Sequence, residues 1–168
     1  MRETADDIGE LQTLLDASYA NAGQHLRTVH GDGTRLSAQE LCQELAGISV
    51  LDLATVSKSH APIVAPVDGV FFRGRFWFAT SPDSLRIRHI RHNPQISAAH
   101  TRGQTLSILI HGVAHEVDTS TGGREDLHAI FREVYGPDYD EWGYWGRYPF
   151  VRTDPRRLYA SWMPGGQE

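Results

Sequence analysis

Two serines and three arginines crowd the stretch SPDSLRIRHIRHNP, residues 81–94. Ser84, Arg86, Arg88 and Arg91 follow one another at short spacing, with His89 and His92 among them. Ser81 with Pro82 behind it, or Ser84 alone, can cap a helix start. Free backbone N–H groups at such a start bind an anion, and a hydroxyl and a guanidinium fork add directed hydrogen bonds. Ser84 and Arg88, at i and i+4, share one helix face. Asp83 opposes a phosphate unless it turns away. The residues leave three readings open: one bound phosphate, a solvated basic helix, or nucleic acid.

Other constellations carry less. His111 and His115 would chelate one ion from a helix, as in HExxH. They sit instead in LSILIHGVAHEVD, a strand-like run, where four residues span about 13 Å. Structural histidines, or one lining a pocket, are expected there, and no metal site. GxSxG, GxxxxGK[ST] and GxGxxG patterns do not occur, which removes the main supports for a serine hydrolase, a P-loop and a Rossmann domain. The segment WGYWGRYPF, 142–150, holds five aromatic residues and two glycines. Trp142, Trp145 and Tyr148 either cap a core or line a pocket for a flat ligand.

The elements that must position these groups read mainly as β-structure. Residues 8–26 have Leu11, Leu14, Leu15 and Tyr19 at helical spacing, and 27–35 reads as a loop. Ser37 and Glu40 form a capping box, with Leu36 and Leu41 as its staple, opening a helix that should stop at Gly47. Strands are expected at 49–57, at 62–67, in two pieces around Arg73-Gly74 within 68–80, and at 96–100 and 106–118. Pro62 and Pro66 mark the second as irregular or at an edge. Residues 124–135 form an amphipathic helix. Residues 150–162 are either a hairpin or one strand broken at Asp154-Pro155. About six short strands with few helices between them fit a small antiparallel barrel with peripheral helices, and not a doubly wound sheet.

Composition narrows the class. The 168 residues suit one substantial core. A net charge of −5 argues against broad binding to nucleic acid. Cys42 is the only cysteine, so no intrachain disulfide or cysteine zinc site can form, and a small buried hydrophobe is expected there. Without a signal-type core or an apolar run of spanning length, a cytoplasmic protein not held in a membrane is the expectation.

The order of features over residues 36–162 resembles the pyridoxamine 5'-phosphate oxidase-like, flavin-binding split-barrel family, within the broad group that uses FMN or the deazaflavin F420. The likeness is carried by LCQELAGISVLDLATVS, by the hairpin PIVAPVDGVFFRGRFWFATS, by SLRIRHIRHNPQIS and by LIHGVAHEVD. It implies a six-stranded antiparallel split barrel over 36–168, with residues 1–35 as an N-terminal helical extension. It implies a small-molecule oxidoreductase with FMN or F420 at a homodimer interface. Ser84 and Arg86, with Arg88, would hold the phosphate beside Thr80, while the backbone of Pro66, Val67 and Asp68 passes the ring. An aromatic segment from the partner subunit, including Trp142 and Trp145, would close the site. The alternative is a non-enzymatic protein holding flavin, haem or another flat ligand. No acid or base stands out. His60, His100, His111 and Asp68 are candidates only through their proton chemistry. The chain departs from the family's common pattern in SKSHAP, which lacks Asp-Gly, in Asp68-Gly69 where bulky apolar residues are frequent, and in the added N-terminal helix.

Overall fold

The structure, a computed structural model, describes residues 2–31, 33–120 and 124–162. Six strands close one antiparallel barrel in the order β1-β2-β3-β6-β5-β4. They are β1 (Ile48–Val56), β2 (Pro62–Phe72), β3 (Arg75–Ala79), β4 (Gln95–Arg102), β5 (Leu106–Val117) and β6 (Phe150–Trp162). Among the described residues five α-helices lie around it: α1 (Ala5–Ala20), α2 (Gln24–Val29), α3 (Ala38–Glu44), α4 (Leu85–His92) and α5 (Glu125–Tyr135). The mainly β, six-stranded antiparallel barrel read from the sequence is the observed architecture. Among the described residues no helix is long and apolar enough to cross a membrane.

Alternation builds the interior. Leu51, Leu53, Val67, Phe76, Phe78, Ile96, Ala98, Ile108, Ile110 and Leu158 turn inward and are buried. A second cluster joins Val70, Phe72 and Trp77 to Leu127, Ile130 and Phe131 of α5 and to Phe150. That cluster seats α5 over the β2–β3 hairpin. The hairpin turns at Arg73 and Gly74, with φ of 51° and 71°, the left-handed pair that a two-residue connection favours.

β2 runs unbroken through both prolines, where two separate segments were expected. Antiparallel pairing explains this. Pro66 faces Asp52 and Pro62 faces Val56. Residues at successive positions of a strand direct their backbone groups to opposite sides. Arg86 reaches the Pro66 carbonyl from outside the β1–β2 ladder, so the even-numbered residues of this stretch present their polar groups away from β1. A proline there removes no bond of that ladder. β3 begins to pair only at Val70, so the first half of β2 keeps one side open. The expectation of an edge strand holds in that sense.

Gly69 sits where β2 passes β3 closely. A Cβ there would lie 2.1 Å from the Trp77 carbonyl oxygen and 2.9 Å from the Phe76 ring. The Asp68-Gly69 departure therefore has a packing reason. β6 is one strand with an irregularity, not a hairpin: its register against β5 shifts opposite His111 and Gly112.

The N-terminal segment is part of this packing. Leu11, Leu15 and Tyr19 are buried in the main core. β3 pairs β6 only at residues 150–152, which leaves the later β6 backbone without a strand on that side. Ser18 Oγ accepts from the Leu158 amide at 2.9 Å, and Tyr19 Oη donates to the Ala160 carbonyl at 2.7 Å. The amides of Leu36 and Trp162 complete the seam with Ala160 and Thr34 carbonyls. The first helix begins at Ala5, earlier than read, because Thr4 and Asp7 form a capping box. It also ends earlier, at Ala20, and a separate α2 occupies part of the expected loop. The Ser37–Glu40 capping box is present, and α3 stops at Glu44, short of Gly47. Cys42 is buried, and burial pushes its thiol up to about 12.

Candidate functional site

The basic stretch folds as α4 with Ser84 as its N-cap, not Ser81. Ser84 Oγ accepts from the Ile87 amide at 3.2 Å and lies 3.0 Å from Thr80 Oγ1. Ile87 and Ile90 anchor the helix in the core. This fixes where the charged residues point. Arg86 is half-buried, and its Nη2 donates to the Pro66 carbonyl at 2.7 Å. Its guanidinium lies 5.8 Å from the Phe78 ring centroid. Burial pulls its pKa below the ordinary arginine value, while the Asp68 carboxylate acts the other way. No carboxylate forms an ion pair with it among the described residues. A half-buried cation without an ion-pair partner is costly unless an anion joins it.

Thr80, Ser84, Arg86 and Pro66 thus form one linked group. Val67 turns its side chain into the core, so only its backbone remains for a ligand. Arg88 is exposed one turn along and belongs to none of these bonds. Arg91 is held by Glu116 through two hydrogen bonds of 2.8 Å. His89 Nδ1 lies 3.0 Å from Thr55 Oγ1.

Beside this group is a cavity of about 400 Å³. Asp68, Ala79 and Thr80 form one wall, and Tyr135, Tyr139, Trp142, Tyr144 and Tyr148 contribute to the other. The aromatic wall belongs to the same chain as the barrel wall. Tyr135 Oη donates to Asp68 Oδ2 at 2.7 Å. Burial, then the Asp68 carboxylate, holds that phenol neutral well above the usual tyrosine range. Tyr139 is buried with a hydroxyl that has no hydrogen-bond partner among the described residues. The two tryptophans separate. Trp142 lines the cavity, whereas Trp145 stacks on His128 at 4.3 Å and packs against Phe150. One indole thus lines a cavity and the other packs against the core.

The proton-transfer candidates are scattered. Asp68 is at the cavity. His60 lies in the β1–β2 turn with a positive φ of 63°. His100 Nδ1 contacts the Val50 carbonyl at 2.8 Å, and His111 Nδ1 contacts Ser97 Oγ at 2.9 Å. His115 lies 3.5 Å from Asp154. Among the described residues no three metal-ligating side chains converge. Sequence reasoning missed Tyr135, which read only as the end of a helix, and Tyr139, which fell in the turn-rich aromatic stretch after it.

No protein-family model matches the chain, and no curated protein matches it by sequence. Solved structures do. A FAD-binding protein from Mesorhizobium loti superposes with a TM-score of 0.58 at 20% identity, over 76% of this chain and 93% of that one. HutZ, the heme storage protein from Vibrio cholerae, gives 0.59 at 20% identity, over 73% and 91%. An F420 reductase gives 0.53 at 16% identity, over 70% and 94%. The chain shares its closed six-stranded antiparallel barrel fold with these structures. At these identities the likeness is one of fold, and the three neighbours are named for three different ligands. The ligand must be argued from this chain's own residues.

Proposed function

We propose that this split barrel binds a flavin or deazaflavin, FMN or F420, and acts as an oxidoreductase on a small molecule. The observation that carries this reading is the half-buried Arg86 guanidinium, in no ion pair among the described residues, beside the Ser84-capped start of α4 and an aromatic-walled cavity.

The residues present fit such a cofactor. In the first turn of α4 the Ile87 amide is capped by Ser84, and the amides of Leu85 and Arg86 have no acceptor within the helix. They would donate to the phosphate, joined by Arg86 and the Thr80 hydroxyl. The ring would lie along the open side of β2, past Pro66, Val67 and Asp68. Trp142 and the tyrosines offer faces for a flat ring, and the unpartnered Tyr139 hydroxyl offers a polar contact. The bound cofactor would supply the redox chemistry. The chain's own part is to hold the phosphate, orient the ring and keep water from one of its faces. The Tyr135–Asp68 pair fixes the Asp68 carboxylate at the cavity wall, where it can hold or accept a proton near the ring.

A homodimer with the cofactor at its interface belongs to the same proposal. Ile48, Val50 and Val64 stand on the outer face of β1 and β2 and are 52%, 50% and 63% exposed. Such an apolar face beside the cavity favours burial against a second copy. In that arrangement the substrate would enter between subunits, and nucleic acid would have no role.

Turnover tests the enzymatic half. Protein loaded with FMN or F420 is reduced, then mixed with small-molecule electron acceptors. Reoxidation faster than that of the free cofactor is expected. Tight binding with no acceleration would favour a ligand carrier on the same fold.

A further inference from the structure

A second groove, sharing no residue with the aromatic cavity, crosses the barrel surface from the end of β1 and the starts of β2 and β4 to the middle of β5 and β6. It encloses about 490 Å³. Thr55, Gln95, Ser97, His111, Arg156 and Arg157 supply its polar lining, and no aspartate or glutamate contributes.

The geometry behind this groove is unusual for two consecutive residues. In an unbroken strand Arg156 and Arg157 would point to opposite faces. Here both line one groove. The cause is the register shift in β6. Gly112 faces Pro155, His111 faces Arg157, and Arg156 is the extra residue between them. Such a bulge re-aims a side chain. Gly112 is what admits it, because a Cβ there would lie 2.2 Å from the Asp154 carbonyl oxygen. Pro155 occupies the disrupted position, where the missing N–H costs least.

Electrostatics point the same way. Arg2, Arg73, Arg75, Arg91, Arg102, Arg132 and Arg152 all have carboxylate partners. Among the described residues neither Arg156 nor Arg157 takes part in an ion pair. The Asp154 carboxylate, just before the bulge, is taken by Arg75 and Arg152. In a chain of net charge −5, this groove keeps two uncompensated cations side by side. The third polar group is prepared as well. When the Ser97 hydroxyl donates to His111 Nδ1, the proton of the neutral ring rests on Nε2 as a further donor. Ala54, Val56, Pro62 and Ile96 form an apolar wall alongside.

We infer that the Arg156–Arg157 bulge and His111 form a binding site for a small organic phosphate, its phosphoryl group on the arginine forks and its apolar portion against Val56, Pro62 and Ile96. Two forks and an imidazole donor suit the charge and three terminal oxygens of a phosphoryl group better than a single carboxylate.

The test is titration of the full chain, followed by backbone amide shifts, with inorganic phosphate, phenyl phosphate and benzoate as probes. Phenyl phosphate is expected to bind tightest and to move the amides of Ile96, Ser97, His111 and Gly112. Arg156→Gln with Arg157→Gln should weaken it by at least about tenfold, with the folded spectrum otherwise kept. Shifts confined to Leu85, Arg86 and Ile87 would place the anion at the other site and overturn the assignment. So would an unchanged affinity in the double variant, or benzoate binding as tightly as phenyl phosphate. Because the two sites report through different amides, failure here leaves the cofactor reading standing, and the reverse also holds.

Discussion

The guanidinium of Arg86 donates to the carbonyl oxygen of Pro66 at 2.7 Å, which ties the first turn of α4 to the open side of β2. One side chain thereby links the helix start, which can hold an anion, to the strand past which a flat ring would lie. Arg86→Lys should keep the charge but lose the fork, and so retain only part of the affinity for a phosphate-bearing cofactor. Affinity equal to the natural protein's in Arg86→Lys would mean that a point charge is enough.

Tyr135 and Asp68 are 67 residues apart in sequence and share a 2.7 Å hydrogen bond at the cavity wall. Tyr135→Phe should leave the fold intact and release the Asp68 carboxylate, lowering affinity for the flat cofactor several-fold. An exposed tyrosine at this place would make that substitution silent. Cofactor titration of the variant, alongside its thermal melt, separates the two outcomes.

Gly69 has no room for a side chain. A Cβ would lie 2.1 Å from a backbone oxygen of β3, which cannot swing away as a flexible side chain would. Gly69→Ala should cost about 1–3 kcal/mol through overpacking and strand displacement. The urea midpoint measures this. A shift within error would show that β2 and β3 can separate there without penalty.

Tyr19 accepts from the Ala160 amide at 2.9 Å and donates to its carbonyl at 2.7 Å. Tyr19→Phe strands the buried Ala160 amide, while its carbonyl keeps the Leu36 amide, and should destabilise the protein by about 1–3 kcal/mol. Removing residues 1–35 should do far more, because β6 would lose Ser18, Tyr19 and the Thr34 carbonyl together. A truncated chain that melts cooperatively at the same temperature would show a separable extension.

Alkaline pH should destabilise the fold. Burial raises the folded-state pKa of Cys42 to about 12 and lifts Tyr19, Tyr135 and Tyr139 above their ordinary values. For each, the unfolded chain loses its proton first, so stability is full below the unfolded pKa and declines as pH rises through the window up to the folded one. The decline should begin near 9, the ordinary cysteine value, and steepen where unfolded tyrosines ionise, at about 10. Cys42→Ala should remove the early part. Urea midpoints from neutral to alkaline pH check this, and a flat profile through that window would contradict it.

What the sequence shows of this molecule follows the range of the interactions. The Ser37–Glu40 capping box and the Arg73–Gly74 turn depend on residues adjacent in the chain, and both are where the pattern puts them. β2 is harder to read, because a proline's effect depends on whether its nitrogen faces a partner strand, and that is known only once β1 is paired. The bulge at Arg156 exists because Gly112 lies across from Pro155. The site divides in the same way. Ser84 and Arg86 are local to the α4 start, where the pattern puts a helix cap and a basic residue, whereas Thr80 entered only through the family resemblance. Tyr135 and Tyr139 reach the cavity through the packing of α5, and that packing fixes which of Trp142 and Trp145 lines it.

The most direct measurement is equilibrium titration of the natural protein and of Arg86→Ala with FMN and with F420. One cofactor should bind tightly to the natural protein, and loss of the Arg86 fork should weaken it by at least about tenfold. Equal affinity with and without the Arg86 side chain would contradict the placement of the phosphate at the start of α4.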